Sequence, residues 1–155
     1  MYQNLFEPYA CMLQLTSEDG FTQQKWENAL LYFMTIVNEL TAKETGAVIG
    51  HMKMIAELDE SCFIKLNSVR SDLPVEVASF GNTKGSLSAD ITLNLLVYNI
   101  SKSRSKEIVS FALSRTENAF SLVGNFTEED VHEGHMHHCG GHHHDDDSEI
   151  NPERD

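Results

Sequence analysis

The sequence predicts an α+β domain in which a mostly antiparallel sheet of about five strands carries two helices on one face. Several segments alternate between apolar and polar residues, which is typical of half-buried strands. Two other segments have the single apolar stripe of amphipathic helices, and turn-forming residues separate the elements. The expected order is β-α-β-β-β-β-α, a two-layer sandwich over residues 1–123. Residues 124–155 are expected to form a disordered acidic, histidine-rich tail.

The first strand is predicted over residues 9–16, followed by a polar loop over residues 17–20. Thr22 is a suitable N-cap for a helix over residues 23–44. Gly46 should end this helix. Its apolar residues recur at helical spacing and form one stripe: Trp26, Ala29, Leu30, Phe33, Ile36, Val37 and Leu40.

Four further strands and a last helix complete the predicted domain. A strand over residues 47–58 and its hairpin partner over residues 62–67 flank a polar turn. A short strand over residues 75–80 and a long one over residues 88–100 follow. Ser105 is a candidate N-cap for a helix over residues 106–120. The uncovered face of the sheet should carry His51, Lys53, Lys65, Thr92 and Asn94, together with Ile49, Ile55 and Leu96.

The net charge of −13 is concentrated in the C-terminal part of the chain. From residue 126 onward there are ten acidic residues and a single base, Arg154, whereas residues 1–125 carry −4. A negative field of this size attracts cations and repels nucleic acids and anionic lipids, which argues against both as partners. A small basic patch precedes the last predicted helix and consists of Lys102, Arg104 and Lys106. It is too small to bind nucleic acid, and contact with the acidic tail is its more plausible role.

Nothing in the sequence predicts a membrane or export signal. No run of apolar residues approaches the 18 needed for a membrane-spanning helix. The first ten residues lack the basic and apolar regions of a secretory signal. Cys11 and Cys62 lie in predicted strands and Cys139 lies in the tail, an arrangement typical of reduced thiols. Cys11 and Cys62 are expected to be small buried apolar residues. We therefore expect a cytoplasmic protein.

The segment over residues 132–147, HEGHMHHCGGHHHDDD, indicates metal binding. It contains seven of the eight histidines of the chain, one cysteine and three consecutive aspartates. Imidazole and thiolate are preferred ligands of zinc, nickel and cobalt. The two central glycines allow the chain to fold back and bring both histidine groups to one ion. The candidate ligands are His132, His135, His137, His138, Cys139, His142, His143 and His144.

The spacing of these ligands does not select one metal or one ligand set. His135, His137, His138 and Cys139 can supply four ligands, but His142 to His144 offer overlapping alternatives. Such redundancy favours rapid capture and release over one closed structural site. A purification tag is the alternative explanation, but a tag is usually an uninterrupted histidine run at a chain end. Here the histidines are mixed with other residue types, and eleven residues follow the last of them, His144.

Two short motifs resemble a known family. The stretch Val48-Ile49-Gly50-His51-Met52-Lys53 resembles the (I)GH-x-K pattern in the C-terminal domain of CobW-type GTPases, which deliver zinc, cobalt or nickel. The later stretch over residues 89–97, ADITLNLLV, followed by a capped helix, resembles the same domain. The resemblance spans about residues 9–120 and implies an α+β docking domain, here free-standing without its GTPase module.

The chain departs from the family pattern where nucleotide and metal chemistry would occur. It has no G-x-x-x-x-G-K-[ST] phosphate loop. Residues 82–85, NTKG, are not a guanine-reading motif, and the Cys-x-Cys-Cys metal site of the family is missing. The resemblance therefore implies the fold, the docking role and the association with metals, but neither GTP hydrolysis nor the internal metal site.

These observations predict a non-enzymatic metal-handling accessory protein. Its tail would bind nickel, zinc or cobalt, and its body would dock on a CobW-type GTPase or on a metalloenzyme or corrinoid assembly factor. An enzyme that uses His51 and a tail-bound ion is one alternative. A plain interaction module with a metal-storage tail is another. The ordinary interpretation of His51 is a solvent-exposed histidine on a strand. The alternative is that it has a function, either on the open face or as a metal ligand.

Overall fold

The computed structural model describes residues 5–129 of the chain. These residues form a mixed α+β domain of six strands and two helices. The elements are, in chain order, β1 (Tyr9–Phe21), α1 (Gln23–Lys43), β2 (Val48–Asp59), β3 (Cys62–Ser68), β4 (Glu76–Phe80), β5 (Ser86–Tyr98), α2 (Lys102–Phe120) and β6 (Leu122–Glu129).

The six strands form one antiparallel sheet in the order β4-β3-β2-β5-β1-β6. Alternate residues of β1, β2, β3 and β5 are buried and pack with the apolar stripes of α1 and α2 in one core. The opposite sheet face, which we call the open face, carries the partly exposed residues of the same strands. The predicted two-layer α+β architecture is therefore confirmed.

Helix α1 matches its sequence prediction closely. The Thr22 hydroxyl caps its first turn by accepting a hydrogen bond from the main-chain N–H of Lys25 at 3.2 Å. The helix ends at Lys43, and Gly46 follows with a φ of +74°, a conformation that a residue without a Cβ adopts at little cost. The Trp26 side chain is fully buried, and its indole N–H donates to the carbonyl oxygen of Ser86 at 3.1 Å.

Helix α2 begins four residues before the predicted start. Ser101, not Ser105, is its N-cap, and the Ser101 hydroxyl accepts from the main-chain N–H of Arg104 at 3.1 Å. The polar run before the helix contains both serines, and each can cap a first turn, so local sequence does not distinguish them. Ser105 is instead a buried residue on the inner side of α2. The prediction for this boundary was wrong.

The sheet is also longer than predicted along its first strand. Residues 17–20, predicted as a loop, continue β1 to Phe21 through a register irregularity after Thr16. Gly20 has a φ of +81° within this irregular stretch, which accommodates the change in register. The prediction of a loop here was wrong because strand pairing with β5 and β6 outweighs the polar composition of the segment.

The sequence pattern did not predict β6, which pairs with β1 from Leu122 to Glu129. This strand forms one edge of the sheet and extends six residues past the predicted domain boundary at Val123. Its Gly124 lies against the side chains of Leu113 and Leu15, so α2 approaches the sheet closely at this point. The sheet within the described residues accordingly reaches Glu129.

A register irregularity near the start of β2 changes one predicted face assignment. It lies between Ile49 and His51, where the pairing with β5 slips by one residue. At Gly50 an added Cβ would lie 3.0 Å from the Leu96 carbonyl oxygen, so the two strands are closely apposed there. Because the slip reverses the alternation, Ile49 packs against the core, whereas His51 and Leu96 remain on the open face. The assignment of Ile49 to the open face was wrong.

Candidate functional site

The predicted metal ligands all lie outside the described residues. They are His132, His135, His137, His138, Cys139, His142, His143 and His144. The structure does show where the segment that carries them begins. Glu129, the last residue of β6, pairs with Cys11 of β1, and His132 follows three residues later in the sequence.

The origin of the tail lies at the same end of the domain as the N-terminus of α2. β6 runs from Leu122, opposite Ser17, to Glu129, opposite Cys11, and α2 runs in the opposite direction before it. The first turns of α2 contain Lys102, Arg104 and Lys106. The predicted contact between these residues and the acidic tail stays a prediction.

Arg104 is already neutralised within the body. Its guanidinium donates to the carboxylates of Glu44 at 2.6 Å and Glu107 at 2.8 Å. Both hydrogen bonds raise the pKa of Arg104 above its usual value, and the bond with Glu44 has the larger effect. The Glu44 bond joins the C-terminal end of α1 to the first turn of α2, so this cation contributes to the packing of the two helices.

His51 lies on the open face of β2, where it pairs with Leu96 of β5. Its Nε2 is 3.2 Å from Oδ1 of Asn67 on the neighbouring strand β3. An amide oxygen only accepts hydrogen bonds, so Nε2 carries the proton in the neutral ring and Nδ1 carries the lone pair. His51 is the only histidine among the described residues.

Two lysines lie on the same face as His51. Lys53 pairs with Asn67 on one side and with Asn94 on the other. Lys65 pairs with Ile55, and its ammonium group lies 5.4 Å from the centre of the Phe80 ring. The ring of Phe80 stacks on Phe63 with centroids 4.9 Å apart. Glu76 of β4 pairs with Asn67 and so lies on the same face. This part of the open face is therefore mixed in charge, with a small aromatic cluster at its β4 side.

The other half of the open face is acidic. Glu57 of β2 and Asp90 of β5 are directly opposite each other, and the amide of Gln14 donates to Asp90 at 2.8 Å. Like charges in this arrangement repel each other. Among residues 5–129 no group of three or more histidine, cysteine or acidic side chains is arranged to hold a metal ion.

The two cysteines of the body are structural. Cys11 and Cys62 are both buried on the helix-covered side of the sheet, as the sequence predicted. Burial, with a smaller effect of the nearby Asp59 and Glu27 carboxylates, raises the pKa of the Cys62 thiol. A neutral buried thiol is a poor nucleophile and a poor metal ligand.

Sequence reasoning missed Asn67, the residue that orients His51. A register irregularity between Glu57 and Asp59 places Asn67, rather than Ser68, opposite Lys53. His51 is two residues from Lys53 on the same strand, within diagonal reach of the Asn67 side chain. Extending the pairing of Asp59 with Cys62 along the hairpin misses this pair by one residue.

Neither α1 nor α2, the two helices within residues 5–129, combines the length and apolar character that crossing a membrane requires. Comparison with known proteins found no match to a protein-family model, to a curated protein or to a solved structure.

Proposed function

We propose that this chain is a non-enzymatic metal-handling accessory protein whose histidine-rich tail binds a divalent transition metal, namely nickel, zinc or cobalt. The observation that carries the proposal is the density of ligands, with seven histidines and one cysteine within residues 132–144. Neutral imidazole and thiolate at this density bind these ions in preference to magnesium or calcium. The acidic residues around them attract the cation and lower the charge of the loaded segment.

The body supports a docking role for the other part of the function. Its open face carries lysines, carboxylates and several exposed apolar side chains, among them Met12, Leu96 and Phe80. Mixed surfaces of this kind are typical of non-obligate protein interfaces. The motif around His51 resembles the C-terminal domain of CobW-type proteins, so a CobW-type GTPase or a metalloenzyme or corrinoid assembly factor is the proposed partner.

Equilibrium dialysis with metal analysis tests the proposed metal role. The full chain and a chain ending at Glu129 are dialysed separately against Ni²⁺, Zn²⁺ and Co²⁺. The truncation keeps β6, which a truncation at Val123 would remove. The full chain should retain at least one ion in the presence of a mild chelator, and the truncated chain should retain none. Equal stoichiometry in the two chains would contradict the proposal.

A matched variant separates the ligands from the charge of the tail. Replacing the seven tail histidines and Cys139 with serine leaves every acidic residue in place. We expect this variant to lose metal retention, because carboxylates alone favour harder ions. Retention equal to that of the natural chain would mean that the acidic residues, not the imidazoles, hold the ion.

The docking role is tested with the body alone. A chain ending at Glu129 is immobilised and exposed to a purified CobW-type GTPase, with Lys65→Glu as the open-face variant and Arg115→Glu on α2 as the control. Binding that is lost with the first variant and kept with the second supports docking through the open face. Equal binding by both variants would place the contact elsewhere, and no binding would remove this partner.

A further inference from the structure

The two edges of the described sheet differ in how well they are protected from pairing with another strand. The β6 edge has a register irregularity between Met12 and Leu13 of its partner β1, and its middle contains Gly124 and Asn125. Strand β4, at the other edge, pairs with β3 through five consecutive residues without a bulge. It contains no proline or lysine, and Glu76 is its one charged residue. Because bulges, proline and charge are the usual means of blocking a sheet edge, β4 is the less protected of the two.

Strand β4 is also exposed along its whole length. All five of its residues are exposed, and Val77 and Phe80 keep 37% and 45% of their surface accessible. Phe80 lies on the open face and Val77 on the helix-covered face, so apolar surface flanks this edge on both sides of the sheet. Among residues 5–129 no strand pairs with its outer side. An exposed antiparallel edge of this kind is a template for a further strand.

The charges beside this edge indicate that the further strand is β4 of a second copy of the chain. Glu76 and Phe80 are the two ends of β4, both on the open face, and the Lys65 ammonium lies 5.4 Å from the centre of the Phe80 ring. Within the described part of the chain, neither Glu76 nor Lys65 forms an ion pair. The edge thus has a negative charge at its start and a positive charge beside its end. Such an edge is complementary to a reversed copy of itself.

The alternation of side chains fixes the register that brings these charges together. Directly opposite residues of an antiparallel pair point to the same face of the sheet. Pairing two copies about a two-fold axis at Ala78 places Glu76 of each copy opposite Phe80 of the other, with Cβ atoms about 5 Å apart. Each Glu76 carboxylate then reaches the Lys65 ammonium that lies beside that ring. The two Glu76 residues are four positions apart along the pair, about 13 Å, so they do not face each other.

We propose that strand β4 pairs antiparallel with β4 of a second copy of this chain, with ion pairs between Glu76 of each copy and Lys65 of the other. The two six-stranded sheets then form one continuous sheet of twelve strands. Because the two-fold axis is perpendicular to the sheet, both open faces lie on the same side of the dimer. A strand of five residues is about 17 Å long, so the interface is smaller than the roughly 1,200 Å² of stable complexes, and the dimer dissociates on dilution.

Sedimentation equilibrium of the full chain tests this interface, with a chelator present so that metal ions do not link two chains. Glu76→Lys and Lys65→Glu each bring like charges together at both symmetric contacts, so each should raise the dissociation constant of the dimer roughly tenfold or more. The double variant has opposite charges again, in exchanged positions, and should regain most of the affinity. Glu128→Lys makes the same charge change on the opposite edge strand, β6, and is the control that should leave the dissociation constant unchanged.

Amide hydrogen exchange of the natural chain tests the strand pairing itself and does not depend on the folding of any variant. Exchange of the β4 main-chain N–H groups that point away from β3 should slow as the concentration rises, whereas exchange in β6 should not. A chain that stays monomeric at about 1 mM would overturn the proposal. So would a dimer whose β4 amides gain no protection, or one that Glu76→Lys leaves intact. Fluorescence of the buried Trp26 checks the fold of each variant.

Discussion

Two glycines with nearly equal φ angles, Gly81 and Gly46, allow a controlled test of how closely the turn at Gly81 packs against Ser61. Gly81 has a φ of +78° and Gly46 a φ of +74°. A Cβ at Gly46 would meet no atom within 4 Å, whereas a Cβ at Gly81 would lie 1.7 Å from the carbonyl oxygen of Ser61. Gly81→Ala and Gly46→Ala thus share the cost of placing alanine at a positive φ. Only Gly81→Ala adds a steric clash with the main chain of Ser61.

The conformational cost of alanine in the left-handed region is about 1–2 kcal/mol, which is the whole effect expected for Gly46→Ala. In Gly81→Ala the turn must also move away from Ser61, since the clash is with main chain. Movement breaks the hydrogen bonds between Gln23 and this turn and between Ser61 and Asn82. Each is worth roughly 0.5–1.5 kcal/mol. With all three bonds lost, the total loss is therefore about 2.5–6.5 kcal/mol.

Urea unfolding measures both variants on the same scale. Trp26 is the only tryptophan of the chain and is fully buried, so its fluorescence reports loss of the core. With a slope of about 2 kcal/mol per molar urea, the midpoint should fall by about 0.5–1 M for Gly46→Ala and by about 1.2–3.2 M for Gly81→Ala. Equal shifts in the two variants would refute the close approach of the turn to Ser61.

Three further predictions concern single side chains of the body. Cys11 and Cys62 should react with iodoacetamide only when the protein unfolds, since both are buried and burial raises the pKa of Cys62; rapid labelling of either in the native chain would contradict this. Glu57→Lys should raise the free energy of unfolding by about 0.2–1 kcal/mol by facing Asp90 with an opposite charge, whereas Glu57→Gln should gain less. Trp26→Phe should lower the free energy of unfolding by at least about 1–3 kcal/mol, because the carbonyl oxygen of Ser86 loses its hydrogen-bond donor. Unfolding followed by circular dichroism measures this loss.

The elements that sequence reasoning identified are those with two independent signals. Helix α1 has both a capping residue, Thr22, and an apolar stripe that is buried in the structure. The central strand β5 alternates without interruption from Ala89 to Val97 because it is paired on both sides and covered on one face. Periodicity of this kind follows directly from burial, so the sequence alone predicts it.

The missed strand β6 lacks both signals. It is an edge strand, paired only with β1 among the described residues, and Gly124 and Asn125 interrupt its middle. It also follows α2 after a single residue, Ser121, whose left-handed conformation turns the chain without glycine or proline. Its position depends on the pairing surface of β1, which lies more than a hundred residues earlier and leaves no local pattern.

For the candidate site, the sequence alone predicts the metal ligands, and the structure shows the strand, β6, after which they follow in the chain. The density of imidazoles in residues 132–144 is visible without coordinates. The strand after which that segment follows is not, because it depends on the strand order β2-β5-β1-β6 and on the pairing of β6 with β1. Both are long-range properties of the sheet.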